Sequence, residues 1–261
     1  MRIALGISYQ GCAYHGWQKQ TGLHTLQACL EQALAKVADH PVTLICAGRT
    51  DKGVHALGQV VHFESQAIRN QRAWLLGVNS QLPADIRIDW VQTVCAEFNA
   101  RFSASARHYR YIIANQALTS ALWHNYSTHY YYPLDEIRMQ AAAELLMGEH
   151  DFSSFRAVSC QAKSAIRDVH YLKVQRWRNY VLIDIQANAF LHHMVRNIAG
   201  VLMSIGAGKK PIAWAKEVLL AQDRRAADVT AQPNGLYLME VFYPERFAIP
   251  KPKDDFHLAF V

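Results

Sequence analysis

Short runs rich in branched and aromatic residues recur along the chain and set the strongest limit on its fold: "IALGISY", "VTLICA", "GQVVHFE", "RHYRYIIA", "HYLKVQRW", "YVLIDIQANAF" and "GLYLMEVFYP". Runs of this length and residue type make strands, and turn-forming residues separate them. Helical periodicity is sparser. Between Thr25 and Val37 the apolar residues Leu26, Cys29, Leu30, Ala33, Leu34 and Val37 fall on one stripe, the i, i+3, i+4 spacing of a helix laid on a core. A second helix is expected after Pro133, with Asp135 and Glu136 in its first turn and Gly148 beyond its end. A third covers "MVRNIAGVLMSIG" and a fourth begins at Pro211.

Strands interleaved with a few helices that can cover one sheet face point to an α+β fold. The first hundred residues read strand, helix, strand, turn, strand; a second unit, similar and larger, starts near Arg107. The expected division is 1–104, an N-terminal half, and 105–261, a C-terminal half ending in an extended tail. Two similar halves with mostly antiparallel sheets would form a pseudo-symmetric pair around a central basic cleft. In the tail, Phe256, Leu258 and Phe260 are candidates for docking.

Of the 261 residues 51% are apolar, which supplies a core for one large or two small domains. Lys and Arg outnumber Asp and Glu by 27 to 21, a net charge of +6 that favours a polyanionic partner, nucleic acid ahead of a metabolite phosphate. The cysteines Cys12, Cys29, Cys46, Cys95 and Cys160 are far apart and never form CxxC, so neither a disulfide framework nor a metal site is expected, and a reducing cytoplasm fits. "NIAGVLMSIGAG" is the longest uncharged apolar stretch and falls well short of the roughly 20 residues a bilayer requires. "MRIALGISYQG" reads as a first strand rather than a secretory leader.

Charge is concentrated in "AGRTDKGVHA" (47–56). Gly48 and Gly53 let the backbone turn sharply, so Asp51 projects from a tight loop, and Arg49 and Lys52 favour its ionised form. That suits a nucleophile or base; an Asx turn with solvated charges is the bland alternative. In "RHYRY" the strand period puts Arg107, Tyr109, Tyr111 and Ile113 on one face and His108, Arg110 and Ile112 on the other. Tyr109 lies nearer the strand's open end, where a ring could stack on a base; two core tyrosines would show the same pattern. In "FLHHMVRNI" a helical reading leaves His192 and Arg196 one turn apart, off the apolar stripe. His150 and Asp151 in "GEHDFSSF" read as a helix-exit turn pinned by Phe152 and Phe155, and "GAGKKP" as a helix end rather than a phosphate loop.

With these segments in place, the chain resembles the tRNA pseudouridine synthase A family over nearly its whole length. The resemblance is carried in order by "YQGCAYHGWQ", "TLQACLEQAL", "AGRTDKGVHALGQVVHF", "LPADI", "ARFSASARHYRYII", "GEHDFSSFRA", "NAFLHHMVRNI" and "GLYLMEVFYP". It implies an isomerase that converts uridines at positions 38 to 40 of the tRNA anticodon stem-loop to pseudouridine, without cofactor or metal, usually as a homodimer. It also implies Asp51 as the catalytic carboxylate, Tyr109 as the stacking tyrosine, Arg49 as the arginine that assists base flipping and Arg196 as the cleft arginine paired with the aspartate. Attack at C1′, addition to C6 and removal of a sugar proton are all open to such a carboxylate. Three positions depart from the family: Gln10 where Asp is frequent, Lys52 where a small residue is common, and Asn99 where a histidine is frequent. A catalytically silent RNA-binding module would need the basic residues and Tyr109 but not Asp51. A glycosidase would need a second carboxylate, with Asp151 the fallback partner.

Overall fold

"IALGISY" forms β1 (Arg2–Tyr9) in the computed structural model, which describes residues 1–252. Its near-continuous burial follows from its central place. It runs antiparallel to β3 (His55–Glu64), with Leu5 opposite Val61, and antiparallel to β4 (Ile86–Val94), with Leu5 opposite Val91. A strand with a neighbour on each side and both faces covered loses the polar alternation of a half-exposed one. The local order is β4-β1-β3-β10, the last being β10 (Leu236–Phe242), with the short β2 (Ile45–Cys46) paired to β3. "VTLICA" therefore yields far less strand than its residue types predict. The Leu44 amide donates to the Glu31 carboxylate (3.1 Å) instead of to a ladder, and only Ile45 and Cys46 pair.

Helix α1 (Leu26–Ala38) buries Leu26, Leu30, Ala33 and Leu34, as the stripe requires, and ends on Asp39 at φ 60°. The sequence reading missed α2 (Gln71–Asn79) as well as β4. α2 starts on an Asn70 side chain that accepts from the Ala73 amide, and buries only Trp74 and Val78, too narrow a stripe to show as periodicity. The Trp74 ring meets Phe63 edge-on at 5.3 Å.

Contacts divide the chain into two units, Met1–Ser105 with the segment from Leu238 onward, and Ala106–Tyr237. Leu238 and the described residues after it thus cluster with the first unit, whereas a division at 104/105 leaves them in the second. Tail residues Phe256, Leu258 and Phe260 lie outside the described residues.

In the second unit the order is β5-β9-β8-β7, built from β5 (Ala106–Asn115), β7 (Gly148–Asp151), β8 (Ile166–Trp177) and β9 (Tyr180–Ala187). These strands are antiparallel, and β6 (Thr128–Tyr130) adds a short parallel pairing to β5. The β8–β9 turn holds Arg178 at φ 53°, as a tight hairpin demands. On β5 the period of two holds: Tyr109, Tyr111 and Ile113 stand opposite Ile185, Ile183 and Val181.

Helix α3 (Glu136–Glu144) is capped by Asp135, whose carboxylate accepts from the Ile137 and Arg138 amides. α4 (Met194–Gly206) departs from the expected amphipathic helix: every residue except Arg196 is buried. α5 (Trp214–Ala221) begins three residues after Pro211. "GEHDFSSF" is a strand followed by a one-turn helix rather than a helix exit; Asp151 accepts from the Ser153 amide (2.8 Å), and Phe152 and Phe155 are fully buried. The fold is α+β with mostly antiparallel pairing, as the strand runs predict. Among the described residues no helix is long and apolar enough to cross a membrane.

Candidate active site

The charged loop of the first unit has no regular structure, yet its backbone is held at nearly every step. The Ala47 amide donates to the Val60 carbonyl (2.8 Å), Gln59 Nε2 to the Gly48 carbonyl (2.7 Å), the Trp17 amide to the Thr50 carbonyl (3.0 Å) and the Val54 amide to the Asp51 carbonyl (3.1 Å). Thr50 Oγ1 is 2.7 Å from the buried Tyr9 hydroxyl. The segment from Gln10 to Trp17 packs against this loop backbone to backbone. A Cβ on Gly11 would stand 2.0 Å from the Val54 carbonyl oxygen, and one on Gly16, whose φ is 86°, would stand 2.9 Å from the Thr50 carbonyl oxygen. Only glycine permits that approach, which is why "YQGCAYHGWQ" and "AGRTDKGVHA" belong together.

Asp51 is held half-buried, with Arg49 and Lys52 exposed on either side of it in the chain. Lys52 Nζ lies 3.5 Å from His15 Nε2. Burial pushes the Cys46 thiol up to about 11 against the opposing pull of the Arg49 and Arg101 guanidiniums, so it stays protonated and inert at neutral pH. Asn99, where the family often has histidine, uses its Oδ1 to cap a turn, accepting from the Arg101 and Phe102 amides (3.0 Å each).

In the second unit Tyr109 is buried, 8% exposed, with its ring edge-on to Phe190 at 5.0 Å. One pleat along, the fully buried Tyr111 hydroxyl donates to the Gln232 carbonyl (2.7 Å) and meets Thr128 Oγ1 at 2.5 Å. Burial drives its phenol well above the ordinary range, against pulls from that Thr128 contact and from the Arg196 charge. Arg196 sits in the first turn of α4, half-buried, with Nε donating to the Ala231 carbonyl (2.8 Å).

The expected placement of His192 on the helix, one turn before Arg196, is overturned. His193 is the N-cap, at φ 64°, so His192 precedes the helix and the i, i+4 relation does not exist. The His192 ring is exposed instead, its Nδ1 3.1 Å from Ser159 Oγ. The four residues thus fall into two pairs: Arg49 with Asp51 on one loop of the first unit, and Tyr109 with Arg196 on β5 and α4 of the second.

One ionic group escaped the sequence reading. His108 Nε2 and Arg110 Nε each lie 2.8 Å from Asp184 Oδ1 on the opposite face of β5, and the Asp184 side chain is 5% exposed. Burial alone would raise its carboxyl, but hydrogen bonds from His108 and Arg110 and their charges outweigh that and hold it below the ordinary carboxylate range. The strand period placed His108 and Arg110 on one face; their acid lies over seventy residues away, and only the β5–β9 register reveals it.

Residues 7–103 and 142–244 match the family model described as tRNA pseudouridine synthase. The chain belongs to that family. Asp51 and Arg49 fall in the first matched segment and Arg196 in the second, while Tyr109 lies between them. The chain is 55% identical to "tRNA pseudouridine synthase A" of Pectobacterium atrosepticum over 97% of its own length and 89% of the relative's. It is 55% identical to the protein of the same name from Pseudoalteromonas atlantica, over 97% and 96% of the two chains. A Shewanella protein of that name is 54% identical, over 96% of each. Among solved structures, a Cbf5-Nop10-Gar1 complex gives a TM-score of 0.41 at 11% identity, covering 96% of this chain and 50% of that one.

Proposed function

We propose that this chain isomerises uridine in tRNA to pseudouridine in the anticodon stem-loop, at positions 38 to 40, with Asp51 as the catalytic carboxylate. The observation that carries the reading is the rigidity of the 47–54 backbone around a half-buried acid flanked by cations, within a matched segment of the family. The reaction breaks the N1–C1′ bond, turns the uracil and joins C5 to C1′; the C5 proton leaves to solvent and N1 gains one. An ionised carboxylate at the ribose or the base suits such an exchange, which consumes no oxidant or reductant.

The target nucleotide must leave the helical stack, at a cost of a few kcal/mol. Stacking on Tyr109 and phosphate contacts offset that cost in this reading, and Arg49 occupies the vacated place. In this reading Arg196 is the cleft arginine that the family resemblance pairs with the aspartate. The net charge of +6 suits tRNA as substrate. Five cysteines spaced far apart and never forming CxxC suit a cytoplasmic enzyme in this reading. A homodimer is part of this reading, and sedimentation equilibrium returning a single-chain mass would remove it.

The test is tRNA labelled with tritium at uridine C5. Wild-type protein releases label in proportion to pseudouridine formed; Asp51→Asn binds tRNA with unchanged affinity but releases label at least about 10³-fold more slowly. Undiminished release by Asp51→Asn refutes the assignment.

A further inference from the structure

We propose that the segment Asp228–Gln232 is a strap that positions the Arg196 guanidinium, with Gly200, Thr230 and the Tyr111 hydroxyl as the residues that fix the strap. This rests on the catalytic role given to Arg196 above.

The strap follows the surface of α4 and touches it at successive turns. Ser204 Oγ donates to the Asp228 carboxylate. At Gly200 the strap's own backbone closes on the helix: a Cβ there would stand 2.2 Å from the Val229 carbonyl oxygen. Thr230 Oγ1 donates to Asn197 Oδ1 (2.7 Å) and accepts from Arg224 (3.0 Å), whose guanidinium also donates to the Asp228 carbonyl (2.9 Å). Asn197 is itself fully buried and donates to the Phe155 carbonyl (2.7 Å). The Ala231 amide then donates to the Arg196 carbonyl (3.2 Å), and Arg196 Nε donates back to the Ala231 carbonyl (2.8 Å). The next carbonyl, that of Gln232, receives the Tyr111 hydroxyl.

Arg196 is therefore joined to the strap through both its main chain and its side chain. A guanidinium is planar and rigid, so fixing Nε against one carbonyl fixes the plane and the direction of its two terminal nitrogens. The carbonyl that does this is bracketed by Thr230 on one side and by the Tyr111–Gln232 bond on the other. Neither residue needs to touch substrate. They act by holding Ala231 still, which makes them positioning residues.

The experiment compares Thr230→Val and Tyr111→Phe with Arg196→Gln and Arg196→Lys, using full-length protein and tritium release from tRNA. Both strap variants remove one hydroxyl and keep nearly the same shape; Gly200→Ala is the stronger lesion, and thermal melting shows whether it folds. The expected result for each hydroxyl variant is a kcat lower by about ten-fold with KM for tRNA within about two-fold, since aim and not binding is lost. Thr230→Ser restores wild-type kcat. In the Arg196→Lys background, Thr230→Val adds no further loss. Wild-type kcat in both hydroxyl variants, with Arg196→Gln inactive, overturns the strap alone. Losses that add in full to that of Arg196→Lys overturn it too, since the strap would then act through something else. Full activity of Arg196→Gln removes the role of Arg196 itself, and the strap's purpose with it.

Discussion

The two units hold their proposed functional side chains by opposite means. In the first, Asp51 stands on a loop without regular structure, and the fixed points around it are main-chain hydrogen bonds and glycines pressed against carbonyls. In the second, Arg196 stands on a helix whose other residues are all buried, and its Nε is held by the Ala231 carbonyl of a neighbouring strap. A loop becomes rigid only where backbones meet so closely that a Cβ would not fit. A buried helix is rigid already, and only the exit direction of its one half-exposed side chain remains to be set.

If side chains carry the rigidity of the second unit, the largest loss should come from its buried ionic group. Asp184→Ala leaves His108 and Arg110 facing each other without their acid and is expected to cost about 3 kcal/mol in denaturant unfolding. The sign of the pH effect follows from the carboxyl lying below its ordinary value. Its contribution is complete above the unfolded carboxylate range, near pH 4, and disappears as pH falls through the lower folded value. Wild-type protein should lose stability over that interval and Asp184→Asn should lose less; equal acid titrations of the two would contradict the coupling.

The first unit should break at a glycine instead. Gly11→Ala drives a methyl into the Val54 carbonyl and is expected to cost about 2 kcal/mol in stability. By displacing the loop it should cost about 10²-fold in kcat for tritium release. Retained kcat in a folded Gly11→Ala protein would show that the loop adapts, and would erase the contrast between the units.

The smallest effects mark where that contrast ends. α1 of the first unit and α5 of the second both end on a non-glycine residue in the left-handed region, Asp39 at φ 60° and Gln222 at φ 48°. Asp39→Gly and Gln222→Gly should each raise stability by about 0.5–1 kcal/mol, equally in the two units, as read by thermal melting. Unequal gains would show that helix ends, too, are treated differently.

Elements whose cause is local were legible in the sequence: the stripe of α1, the acidic start of α3 at Asp135 and Glu136, and the alternating faces of β5. Those that depend on distant partners were not. "VTLICA" looked like a strand because nothing in it announces that Glu31 takes the Leu44 amide. α4 looked amphipathic because its sequence does not say that other elements cover its remaining sides. His192 was placed in that helix because a left-handed N-cap at His193 has no residue signature of its own. Within the candidate site, Asp51 was legible from its glycine-bounded turn, and the family resemblance singled it out. Tyr109 was a stacking candidate from the strand period, the role of Arg196 came from resemblance, and the strap beside Arg196 was invisible, since its contacts join residues up to 121 positions apart.

The return of the closing strand to the first unit has a consequence for biosynthesis. β3 lacks its neighbour β10 until residues 236–242 have been made, whereas nearly all of the second unit is one unbroken stretch of chain. Until those residues emerge, the nascent N-terminal sheet keeps its β3 edge open to pairing with a stranger.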